Sequence, residues 1–391
     1  MFSKPQRARD LLTAAIAAVY AVWTVQAGIR TGPDTATYSR WADLLIAHDF
    51  NFAAYLREQS FVVPPVMYVA WITVVAALKK YLGASWMAGV VMLNWMALVT
   101  GVYMTLRLVF RLTNGNRGLW LAAWFFLVAG DLLVFVPFVL SDLTFWAIST
   151  AVLTLGVAAG AGYAPQPRTS VAMLLAAGVL TAVAMVYRPT AAPLAVFWVA
   201  ACLVRAGHGF TLRHVMRLLI GAVALAAIAI AAHAYILAHP ARWPWGRLPD
   251  MLAILSKEYA DGILLRELPT VAPAVDWLGA IRITLQRLLY FFTPWVAHYS
   301  AAHTVINILF FVPAYVLAAA AIVNLRRLAP PQQLSVGLLA AFAVVLSAFH
   351  AMMQIDYDHR YRLPLLPALI MLAATGLDAM ARRRAATVSY R

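Results

Sequence analysis

Charge, acidic residues and cysteine are all scarce in this chain. Of its 391 residues only 12% are charged, 15 are acidic and a single one, Cys202, is a cysteine, which excludes an intramolecular disulfide. The sequence also contains no Walker loop, no Rossmann glycine fingerprint and no His/Cys spacing typical of a metal site. No stretch between its apolar segments is long enough for a cytosolic nucleotide-binding domain. We therefore expect any chemistry to take place within a membrane or at its surface.

Apolar residues dominate the composition instead. They form 64% of the chain, and the mean hydropathy is +0.79, which is typical of an all-α polytopic membrane protein. In a soluble protein the formal net charge of +15 would suggest a nucleic-acid partner. Here the arginines stand in short clusters between apolar segments, which is how membrane topology is encoded. We therefore expect membrane lipids, and no nucleic acid, as partners.

The basic clusters also indicate which apolar segments cross the membrane. Twelve segments begin near Leu11, Val62, Trp86, Gly118, Leu143, Ser170, Thr190, Met216, Leu285, Thr304, Leu334 and Leu363. If all crossed, the arginine clusters at 107–117 and 205–217 would lie outside, against the positive-inside bias. Both conflicts vanish if the segment 64–82 lies in the outer interface as a juxtamembrane helix, and 285–299 is a second such piece. About ten spans then remain, with both termini in the cytosol.

This topology predicts the domain organisation. The parts are one transmembrane domain over 1–391, a first extracytoplasmic loop over 30–83, a later one over 239–300 that is a candidate acceptor site, and a cytosolic tail over 382–391. The first loop opens with Gly32-Pro33, a turn that predicts the start of a helix. Asp34 and Tyr38, four residues apart, then share one face of that helix. A carboxylate at this position is a candidate general base, and the alternative is that Asp34 only caps the helix.

Arginines on the predicted outer side are the second notable feature, because they oppose the topological bias. Arg188 ends a long uncharged helix and is followed by a proline, while Arg360 and Arg362 precede the last span. The alternatives are an arginine whose side chain reaches to the interface and an aromatic belt around the pair. The functional interpretation is a planar fork that binds a phosphate through two hydrogen bonds.

Other polar residues on the same side are candidates for supporting roles. These are Asp142, Tyr187, His359 and Tyr361, together with Tyr38 of the first loop. Asp142 either caps its helix or adds a second carboxylate near Asp34. Because two carboxylates without a histidine at useful spacing do not define a metal site, a divalent cation is left open and no other cofactor is expected. The roles of Asp131 and Glu58 are undecided from the sequence.

Short motifs spread along the chain resemble the GT-C superfamily of lipid-dependent membrane glycosyltransferases, which includes protein O-mannosyltransferases and aminoarabinose lipid A transferases. The early pieces are Asp34, Tyr38, Ala42, Pro64-Pro65, Tyr68 and the Gly83-x-Ser85 turn. The later ones are Tyr187-Arg188-Pro189, Leu288-Leu289-Tyr290-Phe291-Phe292-x-Pro294 and Arg360-Tyr361-x-x-Pro364-x-x-Pro367. The chain departs from the pattern at Val62-Val63, where many relatives carry charged or polar residues before the Pro-Pro step.

The resemblance implies a GT-C-type bundle in a bacterial inner membrane, with its active site on the periplasmic face. Asp34 would be the catalytic base, and the outer arginines would bind the phosphate of a polyprenyl-phosphate sugar donor. The acceptor would be an extracytoplasmic glycan, lipid or protein. Two alternatives remain open: a transferase of the O-antigen ligase or polymerase type with a diphosphate-linked donor, and a lipid-linked sugar flippase or other transporter.

Overall fold

The chain forms a bundle of helices. The computed structural model describes residues 4–58, 68–113, 115–164, 166–208, 235, 277–295, 300–352 and 359–388. Its helices are α1 (Lys4–Ala27), α2 (Pro33–Ala47), α3 (Phe52–Glu58), α4 (Val69–Leu82), α5 (Trp86–Thr113), α6 (Asn116–Leu127), α7 (Gly130–Phe135), α8 (Asp142–Gly160), α9 (Pro167–Tyr187), α10 (Ala192–Leu203), α11 (Trp277–Phe292), α12 (Ala301–Val323), α13 (Pro330–Met352) and α14 (Leu365–Val388). In these ranges extended pairing is limited to one isolated bridge between Arg30 and Phe138. The predicted all-α architecture is confirmed.

Seven of the described helical stretches are long and apolar enough to cross a membrane. They are α1, α4 with α5 counted as one stretch, α8, α9, α12, α13 and α14. The chain is therefore a multi-pass membrane protein, as predicted. Two further predicted spans correspond to α6 and α10, which have 12 residues each, and the one near Met216 lies outside the described residues. The count of about ten stays a prediction.

The two predicted juxtamembrane segments both contain helices. In the segment 64–82 the helix is α4, whose 14 residues span about 21 Å, less than the roughly 30 Å of a hydrocarbon core. Gly83, with φ of 52°, ends α4 in a conformation that other residues rarely adopt. The second segment was predicted to begin near Leu285, but α11 begins eight residues earlier, at Trp277. Arg282 interrupts the apolar run there without interrupting the helix.

Close helix packing builds the core. The longest described interface joins α12 and α14, where a Cβ on Gly376 would come within 1.9 Å of the Leu317 carbonyl oxygen. A small residue at that point lets the two backbones approach, as is common between helices in membranes. Around α8, the neighbouring helices α5, α9 and α10 form a second packed group.

Polar groups gather at opposite ends of this bundle. We call the end with Asp34, Asp142, Arg188 and Arg360 the site end. We call the other end, which carries Arg111 and Arg382, the basic end. There Gln332 donates to the Leu112 carbonyl and to Asp378, which is 3.3 Å away. The predicted site residues Asp34, Asp142, Arg188 and Arg360 therefore share one end of the bundle. That this end faces the outside stays a prediction.

Candidate functional site

The start of α2 is fixed to the segment that precedes α8. Arg30 exchanges two backbone hydrogen bonds of 2.9 Å with Pro137 and Val139. Thr35 accepts from the Gly32 amide at 3.0 Å and donates to the Val139 carbonyl at 3.0 Å. Thr35 therefore caps the helix, and Asp34, one residue earlier, is left available for another partner. The same tether brings the first turn of α2 close to that of α8.

Asp34 points toward the turn that precedes α14. Its Oδ2 accepts a hydrogen bond of 2.6 Å from Nη1 of Arg360, and the two side chains are 36% and 14% exposed. Arg360 also lies over the ring of Tyr361, with its Cζ 5.2 Å from the ring centroid. The alternative that Asp34 only caps its helix is therefore wrong for this structure, since its carboxylate is held by an arginine 326 residues away.

Arg188 and Asp142 form a second pair that is almost completely buried. Their side chains are 4% and 1% exposed. Arg188 follows the last residue of α9 in an extended conformation, which the next residue, a proline, favours. Burial opposes the charge on Arg188, but the Asp142 carboxylate raises the pKa of the guanidinium further above its usual range, so the arginine stays charged. Asp142 thus neutralises an arginine and makes no side-chain cap on α8.

The Tyr361 ring connects the two pairs. The Cζ of Arg188 lies 5.7 Å from the centroid of this ring and 5.7 Å from that of Phe145. The Cζ of Arg360 lies 5.2 Å from the centroid of the Tyr361 ring. A guanidinium over an aromatic face is attracted by the ring quadrupole. Tyr361 therefore offers its ring to both guanidinium groups, and this attraction offsets part of the repulsion between the two like charges.

A third pair joins Asp131 and Arg362, both 1% exposed. Nε of Arg362 donates to Asp131 at 2.9 Å, and its Nη1 donates to the Thr293 carbonyl at 2.6 Å. His303 and Asn307 of α12 each approach the other carboxylate oxygen of Asp131 at 3.3 Å. The network ties α7, the end of α11, α12 and the turn before α14 together, and so fixes the turn that carries Arg360.

Aromatic side chains pack beside these charges. Tyr38 is 5% exposed, and its ring lies 5.8 Å from that of Tyr68 and 6.1 Å from that of Trp71. Trp71 also meets Tyr187 at 5.6 Å, whose hydroxyl bonds to that of Thr144. Burial raises the pKa of the Tyr38 hydroxyl, so this hydroxyl remains protonated at neutral pH.

The structure thus brings most of the predicted site residues together. Those that converge are Asp34, Tyr38, Asp142, Tyr187, Arg188, Arg360 and Tyr361, with Arg362 in the adjoining network. The side chain of His359, the residues 353–358 and most of the predicted acceptor loop lie outside the described residues. Within the described part, no group of three or more His, Cys, Asp or Glu side chains is arranged to hold a metal ion; the question of a cation stays open.

Sequence reasoning did not assign Asp131 and overlooked its neighbours His303 and Asn307. The sequence did contain a signal for this network. A charged residue inside an apolar bundle is costly unless it is paired, so Asp131 requires a partner. Arg362 was expected to contact a phosphate. In the structure its guanidinium binds the Asp131 carboxylate and the Thr293 carbonyl, so Arg362 holds the turn that carries Arg360 in place.

The fold is similar to that of ArnT from Cupriavidus metallidurans, an aminoarabinose lipid A transferase. The crystal structure of that protein in the apo state aligns with a TM-score of 0.52 and 17% identity, and covers 94% of this chain and 59% of that one. A second structure of ArnT, bound to undecaprenyl phosphate, gives a TM-score of 0.49 at 15% identity. No protein-family model and no curated protein matches the chain. The chain therefore shares a membrane fold with ArnT, and it spans about three-fifths of the length of that protein.

Proposed function

We propose that the protein is a glycosyltransferase of the bacterial inner membrane. It would move a sugar from a polyprenyl-phosphate donor to a hydroxyl of an extracytoplasmic glycan, lipid or protein. The observation that carries this proposal is the partly exposed Asp34 carboxylate, held 2.6 Å from Arg360 at the site end of a fold similar to ArnT. It combines a candidate base with a candidate phosphate ligand in one place.

Each member of the pair has a role in such a transfer. Asp34 accepts the proton of the acceptor hydroxyl, whose oxygen then attacks the anomeric carbon of the sugar. The bond from that carbon to the phosphate oxygen breaks, and the polyprenyl phosphate leaves with the electron pair. Arg360 binds the phosphate oxygens and stabilises the charge that grows on them, an electrostatic contribution of a few kcal/mol, about 3 for one well-placed donor.

The pairing of Asp34 with Arg360 also couples donor binding to the activation of the base. Arg360 holds the Asp34 carboxylate by a charge-assisted hydrogen bond, and the same guanidinium can hold a phosphate oxygen instead. A phosphodiester that binds Arg360 competes for the guanidinium and so releases Asp34. Asp34 then meets the acceptor hydroxyl without its arginine only when the donor is in place, and Arg188 adds positive charge 5.7 Å from the centroid of Tyr361.

The transporter alternative finds less support. In α1, α5, α8, α9, α12 and α13 the Asp, Glu, Lys and Arg residues stand in the first or last two turns, so the middle of these candidate spans offers a sugar no charged pathway. The diphosphate-linked donor of a ligase-type or polymerase-type transferase differs from the proposed donor by one phosphate. That distinction requires a direct test.

Product binding tests the donor class without knowledge of the sugar. Purified protein would be titrated with undecaprenyl phosphate and with undecaprenyl diphosphate, and binding read from the shift in thermal stability. We expect preference for the monophosphate and at least a tenfold loss of affinity in Arg360→Gln, since a charge-assisted hydrogen bond contributes about 1.5–3 kcal/mol. Arg30→Gln is the matched control, because Arg30 is an exposed arginine near the same end of the bundle.

Transfer itself is then measured without any transmembrane gradient. Lipid-linked and nucleotide-linked sugars would be offered with an extract of outer-envelope acceptors. The proposal is overturned by efficient use of a nucleotide sugar, by preference for the diphosphate, or by Arg360→Gln binding the lipid as the wild type does.

A further inference from the structure

A small groove at the basic end, far from the site described above, is lined by residues of three helices. Its volume is about 70 Å³. The lining residues are Met104, Arg107, Leu108 and Arg111 of α5, Thr154, Leu155 and Ala158 of α8, and Met173 of α9. Apart from the two arginines and Thr154 the walls are apolar.

The two arginines of this groove have no acidic partner among the described residues. Arg107 is exposed and Arg111 half-buried, and being four residues apart they project from one face of α5. The charged side chains that act on Arg111 are Arg107 and Arg9, both of its own sign. Arg9 is balanced by Asp10 at 2.6 Å. Among the side chains that the structure describes, positive charge therefore accumulates at this groove without an acidic partner for Arg107 or Arg111.

The depth of the groove matches a membrane interface. Arg107, Thr154 and Met173 each lie six residues from the basic end of their helices, which are Thr113, Gly160 and Pro167. At 1.5 Å per residue this is about 9 Å along each helix. A group bound there lies between the helix ends and the apolar interior, at the level where lipid headgroups meet acyl chains.

We propose that this groove binds an anionic phospholipid of the cytosolic leaflet. Its headgroup phosphate bridges Arg107 and Arg111, and an acyl chain follows the apolar wall formed by Leu108, Leu155 and Met173. Basic pockets between membrane helices on the cytosolic side are a recognised type of lipid site. The single negative charge of the phosphodiester, placed between Arg107 and Arg111, reduces the repulsion between the two arginines. A purely topological role for these arginines leaves that repulsion in place.

The test compares lipid retention in matched variants. Protein purified from nanodiscs would be probed by native mass spectrometry with phosphatidylglycerol, with phosphatidylcholine of the same chains, and with inorganic phosphate as competitor. At about 1 kcal/mol for each arginine near the surface, Arg107→Gln should weaken retention of phosphatidylglycerol about fivefold, and the double change with Arg111→Gln about thirtyfold. The double lysine variant keeps the charge and should retain most binding.

Arg117→Gln provides the control, since Arg117 is an exposed arginine at the start of α6 that does not line the groove. It should bind phosphatidylglycerol as the wild type does. Equal retention of the two lipids, displacement of the lipid by millimolar phosphate, or an equal loss in Arg117→Gln would overturn the proposal. If the double glutamine variant does not fold, the single Arg107→Gln variant decides, because that side chain is exposed.

Discussion

Replacing Asp34 by asparagine separates catalysis from stability. The substitution keeps the shape of the side chain and one acceptor oxygen for Arg360, but removes its basicity. Because the ion pair is partly exposed, its loss should change the free energy of unfolding by no more than about 1 kcal/mol. Loss of a general base lowers the rate by about 10²–10⁴-fold. We expect a folded protein with sugar transfer reduced at least a hundredfold.

Two further aspartates make this prediction specific. Asp43 lies on the same helix, is 60% exposed and pairs with Lys79 at 2.5 Å, so Asp43→Asn should leave both activity and stability close to wild type. Asp142→Asn leaves Arg188 buried without a full counter-charge. Breaking a buried pair from one side costs about 3–5 kcal/mol, and we therefore expect a marked loss of thermal stability.

The assay measures initial transfer rates and unfolding midpoints for the three variants in the same detergent. The ordering should be Asp43→Asn normal, Asp34→Asn folded but inactive, and Asp142→Asn unstable. An Asp34→Asn protein that keeps more than about a tenth of the wild-type rate would refute the role of Asp34 as base. An Asp34→Asn protein as unstable as Asp142→Asn would show instead that the pair with Arg360 is structural.

Two other predictions concern Arg188 and the topology. Arg188→Lys keeps the charge but loses the planar group that lies near the rings of Phe145 and Tyr361. We therefore expect lower activity, with a raised KM for the donor and an unchanged KM for the acceptor. An enzyme with normal donor kinetics would contradict this. The topology can be tested in a Cys202→Ser background with an impermeant thiol reagent added to intact cells. The reagent should label Asn51→Cys and spare Asn116→Cys, since both positions are exposed and are predicted to face opposite sides of the membrane. Labelling of Asn116→Cys alone would mean that the predicted topology is inverted. Ser141 is unsuitable as a reporter because it is fully buried.

Local signals predicted much of this structure. The Gly32-Pro33 turn predicted the start of α2, and the proline after Arg188 predicted the end of α9; both are confirmed. The hydropathy of the chain was sufficient for the all-α membrane fold. These features depend on a few neighbouring residues or on the composition of a segment, so they can be read without knowing how the helices pack.

The pairing of the charges could not be predicted in the same way. Asp34 joins Arg360, Asp142 joins Arg188 and Asp131 joins Arg362 across 326, 46 and 231 residues. Which carboxylate meets which arginine depends on the packing of several helices, and a single sequence carries no local signal for it. The sequence indicated only that these groups lie on one side of the membrane.

The difference in burial among the three pairs suggests how the site divides its tasks. The pairs of Asp142 and Asp131 are inaccessible, and exchanging partners there would leave a charge unpaired in an apolar surrounding, which is costly. The Asp34 pair is partly exposed, so in the proposed reaction Arg360 would exchange its carboxylate for a phosphate at a smaller cost than the buried pairs. Arg188 and Arg362 hold the two sides of the turn that carries Arg360. Two buried pairs beside one exchangeable pair are the arrangement that the proposed transfer from a phosphate-linked donor would need.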